Sequence, residues 1–284
     1  HANKSNKDPH STFDHSLRTL ENTLDVCRTN KTHVIYLSSS MVYGNFTTGI
    51  VNEETQCSPI GIYGTLKYSG ELMVKAYNQV FDLPYTIIRP SALYGERCVS
   101  RRVGQIFIEN AINGEEIKIG GDGEDKLDFT YINDFCDGVI LAIEKKEAQN
   151  EIFNLTYGAS RTINNLKDIL LDHFPKAKIS YEKRDKLMPK RGTLSINKAK
   201  KLLGYNPSFS IDEASAMIRF YFGIGAKYFV ETTKFRVFRK LWANVIEAYS
   251  PKENFSYACY IYAQTGFVNK SVKDPYTNLL RQTT

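Results

Sequence analysis

Short apolar, β-rich runs alternate with helical stretches along the first part of the chain, and this alternation limits the possible folds more than any other feature. The first clear run, HVIYLSSSMVYG, begins at His33 and ends in serines and a glycine. A loop with Gly and Pro follows, then a helical stretch from about Ile62 to Val80 and a second apolar run, LPYTIIRP. This alternation predicts a parallel sheet with helices on both faces.

Downstream patterns predict a smaller substrate cap and a separate C-terminal segment. The stretch 151–209 has short strands, EIFNL and KISYE, and the helix NKAKKLLG closed by Gly204. After about Asp212 the sequence becomes densely aromatic and basic. We therefore expect domains at 1–211, with the cap mainly at 151–209, and at 212–284.

A single long helix over 217–248 is the main expectation for the C-terminal segment. Helical periodicity places five apolar residues on one face of it: Phe235, Phe238, Trp242, Val245 and Ile246.

The composition is that of a chain that buries a core, with 284 residues, 42% of them hydrophobic and 24% charged. No apolar run approaches the ~18 residues that a membrane-spanning helix needs. The net charge is +6, but the basic residues are scattered, so nucleic acid is not the expected partner. The five cysteines show no spacing typical of a zinc site, so no metal is expected and a reducing, cytoplasmic setting fits.

Tyr63 and Lys67 are the first candidate catalytic residues. They lie four residues apart on a predicted helix, so both side chains leave the same face. A lysine ammonium stabilises the phenolate and lowers a tyrosine pKa that is ordinarily about 10, which makes tyrosine a usable base. None of the other tyrosines in the chain has a lysine at this offset. The alternative interpretation of the motif alone is an ordinary surface pair.

Three serines, Ser38 to Ser40, end the first apolar run, where a parallel sheet presents the carboxyl ends of its strands to ligands. A hydroxyl there can bind a substrate oxygen while the tyrosine moves a proton. Ordinary turn chemistry at the end of a strand is the alternative.

These residues together resemble the NAD-dependent sugar-nucleotide epimerase/dehydratases, which are extended short-chain dehydrogenase/reductases. The resemblance covers residues 1 to about 211. It rests on the motifs SSSMVYG (38–44), YGTLK (63–67), RPSALYG (89–95), GGDGEDKLDFTYIND (120–134), EIFNLTYG (151–158) and KRGTLSINKAKKLLGYNPS (190–208).

The resemblance implies a partial Rossmann-like, doubly wound parallel sheet, NAD as cofactor and a nucleotide sugar as substrate, and a homo-oligomer is compatible with it. By position, Tyr63 is the base and also contacts the cofactor, Lys67 binds the nicotinamide ribose and tunes Tyr63, and Ser39 is the hydroxyl partner. The remaining positions that the resemblance implies are Pro90 and Ser91 beside the nicotinamide, and Ser40, Arg101, Arg102 and Arg191 at the substrate. For the three arginines, an ordinary solvated surface is the alternative.

Two departures from the family pattern narrow the expected chemistry. Dehydratases of the family carry an Asp-Glu pair directly after the hydroxyl residue, where this chain has Ser40 and Met41. Reversible oxidation at a sugar carbon, as in an epimerase, is therefore favoured over elimination of water. The family commonly has Arg before the Asp of its "RDFTYIDD" motif, where this chain has Leu127 before Asp128, so one phosphate contact is expected to be missing.

The Gly-rich turn that opens the family pattern is also missing from this sequence. The chain begins at HANKSNKDP, which resembles a segment after the fourth strand of the family. A helix N-terminus after that turn holds the dinucleotide pyrophosphate, so impaired cofactor binding is an expectation of the sequence.

The C-terminal residues, about 217–284, resemble a fragment of the (β/α)8-barrel of methylmalonyl-CoA mutase. The resemblance rests on the segments FGIGAKYFVETTKFRVFRKLWANVIEAYSPK and DPYTNLLRQTT. Where catalytic mutase chains have His-x-Gln-Thr-Ser, this sequence reads YAQTG at 262–266, which is closer to the non-catalytic subunit. About a quarter of a barrel cannot close by itself.

Three functions remain open from the sequence: an NAD-dependent epimerase, a fused remnant or binding module without enzymatic activity, and a cobalamin- or acyl-CoA-related mutase fragment. The first is favoured by Ser39, Tyr63 and Lys67.

Overall fold

The computed structural model describes residues 5–95, 102–207, 219–224, 228–247 and 258–265. The chain divides into two compact units, His1–Ser208 and Phe209–Thr284. The first unit is an α/β domain with a Rossmann-like parallel sheet and a small cap, as the sequence predicts.

Three strands form the main sheet in the order β1, β3, β8, and all are parallel. They are β1 (Val34–Leu37), β3 (Tyr85–Arg89) and β8 (Glu151–Asn154). All five residues of the central β3 are buried, because helices cover both faces of the sheet. The prediction that the cap lies mainly at 151–209 needs correction for its first strand, since β8 pairs with β3 and extends the main sheet.

Helices from the N-terminal part of the chain cover one face of the main sheet. They are α1 (Pro9–Phe13), α2 (Thr19–Asn30), which follows a π-helical turn at Asp14–Arg18, and α3 (Gly61–Phe81). Leu24 of α2 and Val74 of α3 pack with Ile87 of β3 in one buried cluster. Both α2 and α3 end at a residue in the left-handed conformation, Lys31 and Asp82.

The opposite face packs against α5 (Ile132–Glu144) and α7 (Asn197–Leu203), with a 3₁₀ turn at Lys146–Ala148 between β8 and α5. Ile88 lies in this cluster while its neighbour Ile87 lies in the other, because successive strand residues face opposite sides. The α7 helix ends at Gly204 in the left-handed conformation, as predicted.

The cap has its own core between α4 (Val103–Asn113), α6 (Ile163–His173) and a parallel pair of strands. That pair is β5 (Ile117–Gly120) and β10 (Ile179–Glu182). Short two-stranded pairs complete the unit: β2 (Ile50–Val51) with β11 (Thr193–Leu194), β4 (Ala92–Tyr94) with β7 (Phe129–Tyr131), and β6 (Lys126–Leu127) with β9 (Arg161–Thr162).

In the second unit, two parallel strands flank a helix. These are β12 (Arg219–Ile224), α8 (Tyr228–Glu247) and β13 (Tyr260–Thr265). Phe222 of β12 contacts the rings of Phe235 and Phe238, and Trp242 Nε1 donates to the Ala258 carbonyl at 3.1 Å. The helix thus begins later than the predicted 217, because the aromatic run before it is extended in β12.

Among the helices in the described ranges, none combines the length and the apolar character needed to cross a bilayer.

Candidate active site

Tyr63 and Lys67 both lie in the first two turns of α3, on the same face, as their spacing predicts. The helix begins at Gly61, where φ is +76°, and the Ile62 N–H donates to the Asn6 side-chain oxygen at 3.1 Å. A side chain from the N-terminal segment therefore satisfies one of the free N–H groups at the start of this helix.

Gly64 allows α3 to approach the 3₁₀ turn Ser40–Tyr43 that follows Ser39. A Cβ at Gly64 would lie 2.8 Å from the Met41 carbonyl oxygen and 3.2 Å from Pro59 Cβ. The helix and the turn are thus packed backbone to backbone, which places the start of α3 beside the end of β1.

Lys67 is fixed to the carboxyl end of β1. Its Nζ donates to the Leu37 carbonyl at 2.8 Å and lies 5.4 Å from the centre of the Tyr36 ring. Burial lowers the pKa of Lys67, because an ammonium loses hydration there. An ammonium group has three N–H donors. Among the described residues, the Leu37 carbonyl oxygen is the acceptor observed for Lys67.

Ser39 and Ser40 lie at the same strand end and are almost fully buried, at 8% and 2% exposure. Ser39 Oγ accepts from the Met41 N–H at 3.2 Å, which leaves its own hydroxyl proton for another acceptor. The Ser40 N–H donates to the Pro90 carbonyl at 2.9 Å. This bond joins the end of β1 to the end of β3, and the half-buried Pro90 and Ser91 follow β3 directly.

A buried polar network lies beneath this edge of the sheet, and sequence reasoning missed it. Glu71 of α3 is fully buried and accepts from Arg89 Nε at 2.9 Å and Nη2 at 2.6 Å. Ser38 Oγ donates to Glu71 Oε1 at 2.5 Å, and the Arg89 guanidinium lies 4.7 Å from the centre of the Tyr43 ring. The signals in the sequence were an arginine ending an apolar strand and a glutamate four residues after Lys67.

The predicted substrate arginines are partly brought together. Burial, together with the nearby charges of Arg102 and Arg184, lowers the pKa of Arg191 to about 10, and Asp125 opposes this shift. Asp125 is bound by Arg184 through two hydrogen bonds of 2.8 and 3.2 Å. Arg102 is therefore near enough for its charge to act on Arg191. The other candidate, Arg101, lies outside the described residues.

Asp128 is a second buried acid that sequence reasoning did not assign. It accepts from the Leu194 N–H, the Thr156 hydroxyl and the Gly158 N–H, each at 3.2 Å, and it is fully buried. Burial raises the pKa of Asp128 to about 6, and these hydrogen bonds oppose the rise. Leu127, at the position where an arginine was expected, packs in the cap core.

Residues 1–156 match the sequence model of the family described as NAD dependent epimerase/dehydratase, which is more than half of the chain. The chain belongs to this family.

Two relatives within the epimerase/dehydratase family are named as epimerases of UDP-sugars. The chain is 30% identical over 203 residues to the uncharacterized UDP-glucose epimerase YtcB of Bacillus subtilis, which covers 70% of this chain and 63% of that relative. It is 30% identical over 187 residues to the UDP-glucuronate 4-epimerase of Thermodesulfobacterium geofontis, covering 63% of this chain and 56% of the relative. The chain thus spans less than two thirds of the length of either relative.

Solved structures of family members share this fold. The UDP-glucuronic acid 4-epimerase of Bacillus cereus, in complex with UDP-glucuronic acid and NAD, matches with a TM-score of 0.68 and 29% identity over 72% of this chain and 66% of that one. The UDP-glucose 4-epimerase of Thermotoga maritima with UDP-glucose also gives 0.68 and 29%, over 74% and 70% of the two chains. NAD is thus the cofactor both of the family as described and of the first of these neighbours.

Residues 203–284 match the sequence model of the family described as methylmalonyl-CoA mutase, as the sequence resemblance predicts. The match begins at the last residue of α7 and includes Tyr205, which is buried in the first unit and donates to the Thr156 carbonyl at 3.1 Å. The first few matched residues therefore belong structurally to the epimerase-like unit.

The nicotinamide-ribose end of an NAD molecule fits the residues at this edge. A ribose offers hydroxyl groups, and Lys67 has donors beyond the one that Leu37 accepts. Within the described ranges, no three His, Cys, Asp or Glu side chains converge as metal ligands.

Proposed function

We propose that this chain carries the proton-transfer and substrate side of an NAD-dependent nucleotide-sugar epimerase site. The observation that supports it best is the placement of Lys67 and Tyr63 on one face of α3, with Lys67 Nζ bound to the carboxyl end of β1 at 2.8 Å, directly before the serines. Family membership and the UDP-sugar relatives support the same substrate class.

In this proposal Tyr63 removes the proton from a sugar hydroxyl while the carbon that bears this hydroxyl loses a hydride, which leaves a ketone. The Ser39 hydroxyl donates to the same sugar oxygen, and the Lys67 ammonium favours the phenolate of Tyr63. When bound, NAD supplies the hydride acceptor and then the hydride donor at that carbon. Return of the hydride to the opposite face, with the proton returned from Tyr63, gives the epimer.

Epimerisation rather than dehydration is the proposed outcome, because elimination needs an acid and a base after the hydroxyl residue. Those positions hold Ser40, whose N–H is bound to the end of β3, and Met41. Arg102 and Arg191 are proposed to hold the substrate phosphates, since a partly buried cation near other cations is stabilised by an anion.

Thermal melting of the full chain with and without NAD tests the proposal. A ligand that binds only the folded state raises its midpoint, and saturation at about 100 times Kd adds about 2.7 kcal/mol. We expect Lys67→Met to abolish the NAD-dependent rise and Lys200→Met, at an exposed lysine of α7, to keep it. NMR of UDP-glucose and UDP-glucuronate incubated with the chain and NAD then reports epimer formation. No midpoint rise together with no conversion would reject the proposal.

A further inference from the structure

Three residues of α3 lie one turn apart on the face that meets the sheet. Tyr63, Lys67 and Glu71 follow each other at intervals of four. Lys67 Nζ binds the Leu37 carbonyl, and Glu71 Oε1 accepts from the hydroxyl of the next residue, Ser38, at 2.5 Å. Two successive turns of the helix are therefore bound to two successive residues at the end of β1.

Glu71 is itself held by β3. Arg89 binds both of its carboxylate oxygens, and the two side chains are at most 2% exposed. Arg89 directly precedes Pro90, whose carbonyl accepts the Ser40 N–H at 2.9 Å. The pair thus connects the helix with the ends of both strands that supply the candidate site residues.

Stability alone does not explain a buried ion pair at this position. Replacing such a pair with apolar side chains of similar volume is often neutral or stabilising, because burial removes the hydration of both charges. A two-pronged arginine-carboxylate contact does fix geometry, since both hydrogen bonds form in one relative orientation only. Here that orientation sets where α3 lies along β1.

We propose that Glu71 and Arg89 are positioning residues that hold Lys67 and Tyr63 of α3 in register with the serines at the end of β1. The inference rests on the proposed function for its catalytic consequence. Its structural content, the contact between Lys67 and Leu37, is independent of any activity.

The main test is a double variant, Glu71→Met with Arg89→Met, measured by NMR titration of the lysine ammonium groups. Lys67→Met assigns the Lys67 signal. We expect the double variant to melt near the wild-type midpoint, while the pKa of Lys67 moves back toward that of an ordinary lysine as the ammonium gains water. The matched control, Asp14→Met with Arg18→Met, removes an exposed ion pair and should leave the Lys67 titration unchanged.

Ser38→Ala provides a second, milder variant, because it removes one hydrogen bond to Glu71 and leaves the ion pair intact. We expect the pKa of Lys67 to change in the same direction as in the double variant. The inference can therefore be decided even if the double variant does not fold. If the Lys67 ammonium titrates as in the wild type, both in Ser38→Ala and in any double variant that folds, the Glu71–Arg89 pair only fills space and the inference is wrong.

Kinetics separates this inference from the proposed function. In an active chain we expect Ser38→Ala to lower kcat by about tenfold with little change in KM, because a misplaced base weakens the transition state rather than substrate binding. A wild-type chain that neither binds NAD nor epimerises would reject the proposed function, while the Lys67 titration would still decide whether Glu71 and Arg89 position the helix.

Discussion

Tyr63 and Lys67 show how much chemistry a spacing of four residues can encode. On a helix this offset places the two side chains together wherever the helix lies, so the sequence alone could identify the pair. What it could not supply was the acceptor for Lys67, because Leu37 lies thirty residues earlier and comes close only through the fold.

Tyr63→Phe should lower turnover by roughly 10²–10⁴-fold, because phenylalanine keeps the ring but cannot exchange a proton. The NAD-dependent rise in melting temperature should persist, since Lys67 is unchanged. Tyr77→Phe is the matched control on the same helix, where the ring packs in the core cluster beside α2. Full turnover in Tyr63→Phe would show that another group is the base.

Asp128 is a residue whose burial and hydrogen bonding become apparent only in the structure. Three donors from two distant segments bind its carboxyl, Thr156 and Gly158 from one and Leu194 from the other, and no local pattern in LDFTYIND predicts them. Because burial raises the pKa of Asp128 in the folded state to about 6, the fold favours the protonated acid. Its contribution to stability is therefore complete below the ordinary aspartate pKa and is lost as the pH rises through about 6.

The free energy of unfolding of the wild type, relative to that of Asp128→Asn, should thus fall by about 2 kcal/mol between pH 4 and pH 7. Urea unfolding of both proteins across this range measures the difference. Asp172→Asn, at an exposed aspartate of α6, is the control and should follow the wild type at every pH. A constant difference between wild type and Asp128→Asn would contradict the raised pKa.

At the scale of elements, a helix with a clear end signal was predicted best. The α7 helix ends at Gly204, in the left-handed conformation that glycine favours. The β8 strand was assigned to the wrong layer, because its four residues carry no signal of their pairing partner. A short apolar run is compatible with either sheet, and the choice depends on contacts with β3 that are distant in sequence.

Gly64→Ala tests the close packing of α3 on the Ser40–Tyr43 turn. The added methyl would meet the Met41 carbonyl oxygen at 2.8 Å, so we expect a loss of roughly 1–3 kcal/mol in the free energy of unfolding. Gly104→Ala in α4 is the matched control, because no atom lies within 4 Å of its added Cβ. That substitution should be neutral or stabilise by up to about 1 kcal/mol. Chemical denaturation should therefore show a loss of stability for Gly64→Ala and none for Gly104→Ala, and equal losses would contradict the packing argument.

At the scale of the whole molecule, the chain joins parts that resemble two unrelated families. Residues 1–156 match one family and residues 203–284 the other, and the division between the compact units falls after Ser208 in the sequence. The local composition of the sequence indicated a boundary near Asp212, because the proportion of aromatic residues rises after it. The motif at 190–208 placed the residues before this boundary with the first unit, but the sequence could not supply their contacts, since Leu203 and Tyr205 are buried against residues of distant strands.

A chain shortened to residues 1–208 should fold by itself, because its four hydrophobic clusters draw on residues between Leu20 and Tyr205. We expect a cooperative melt within about 3 °C of the full chain. Shortening to residues 1–196 is the matched comparison and should abolish cooperative melting, because it removes Ala199, Leu203 and the buried Tyr205 from the cluster around β8. Calorimetry of the three proteins distinguishes the cases. If 1–208 also lost its cooperative transition, the first unit would depend on the C-terminal residues, and the division at Ser208 would not be a boundary between independently folding parts.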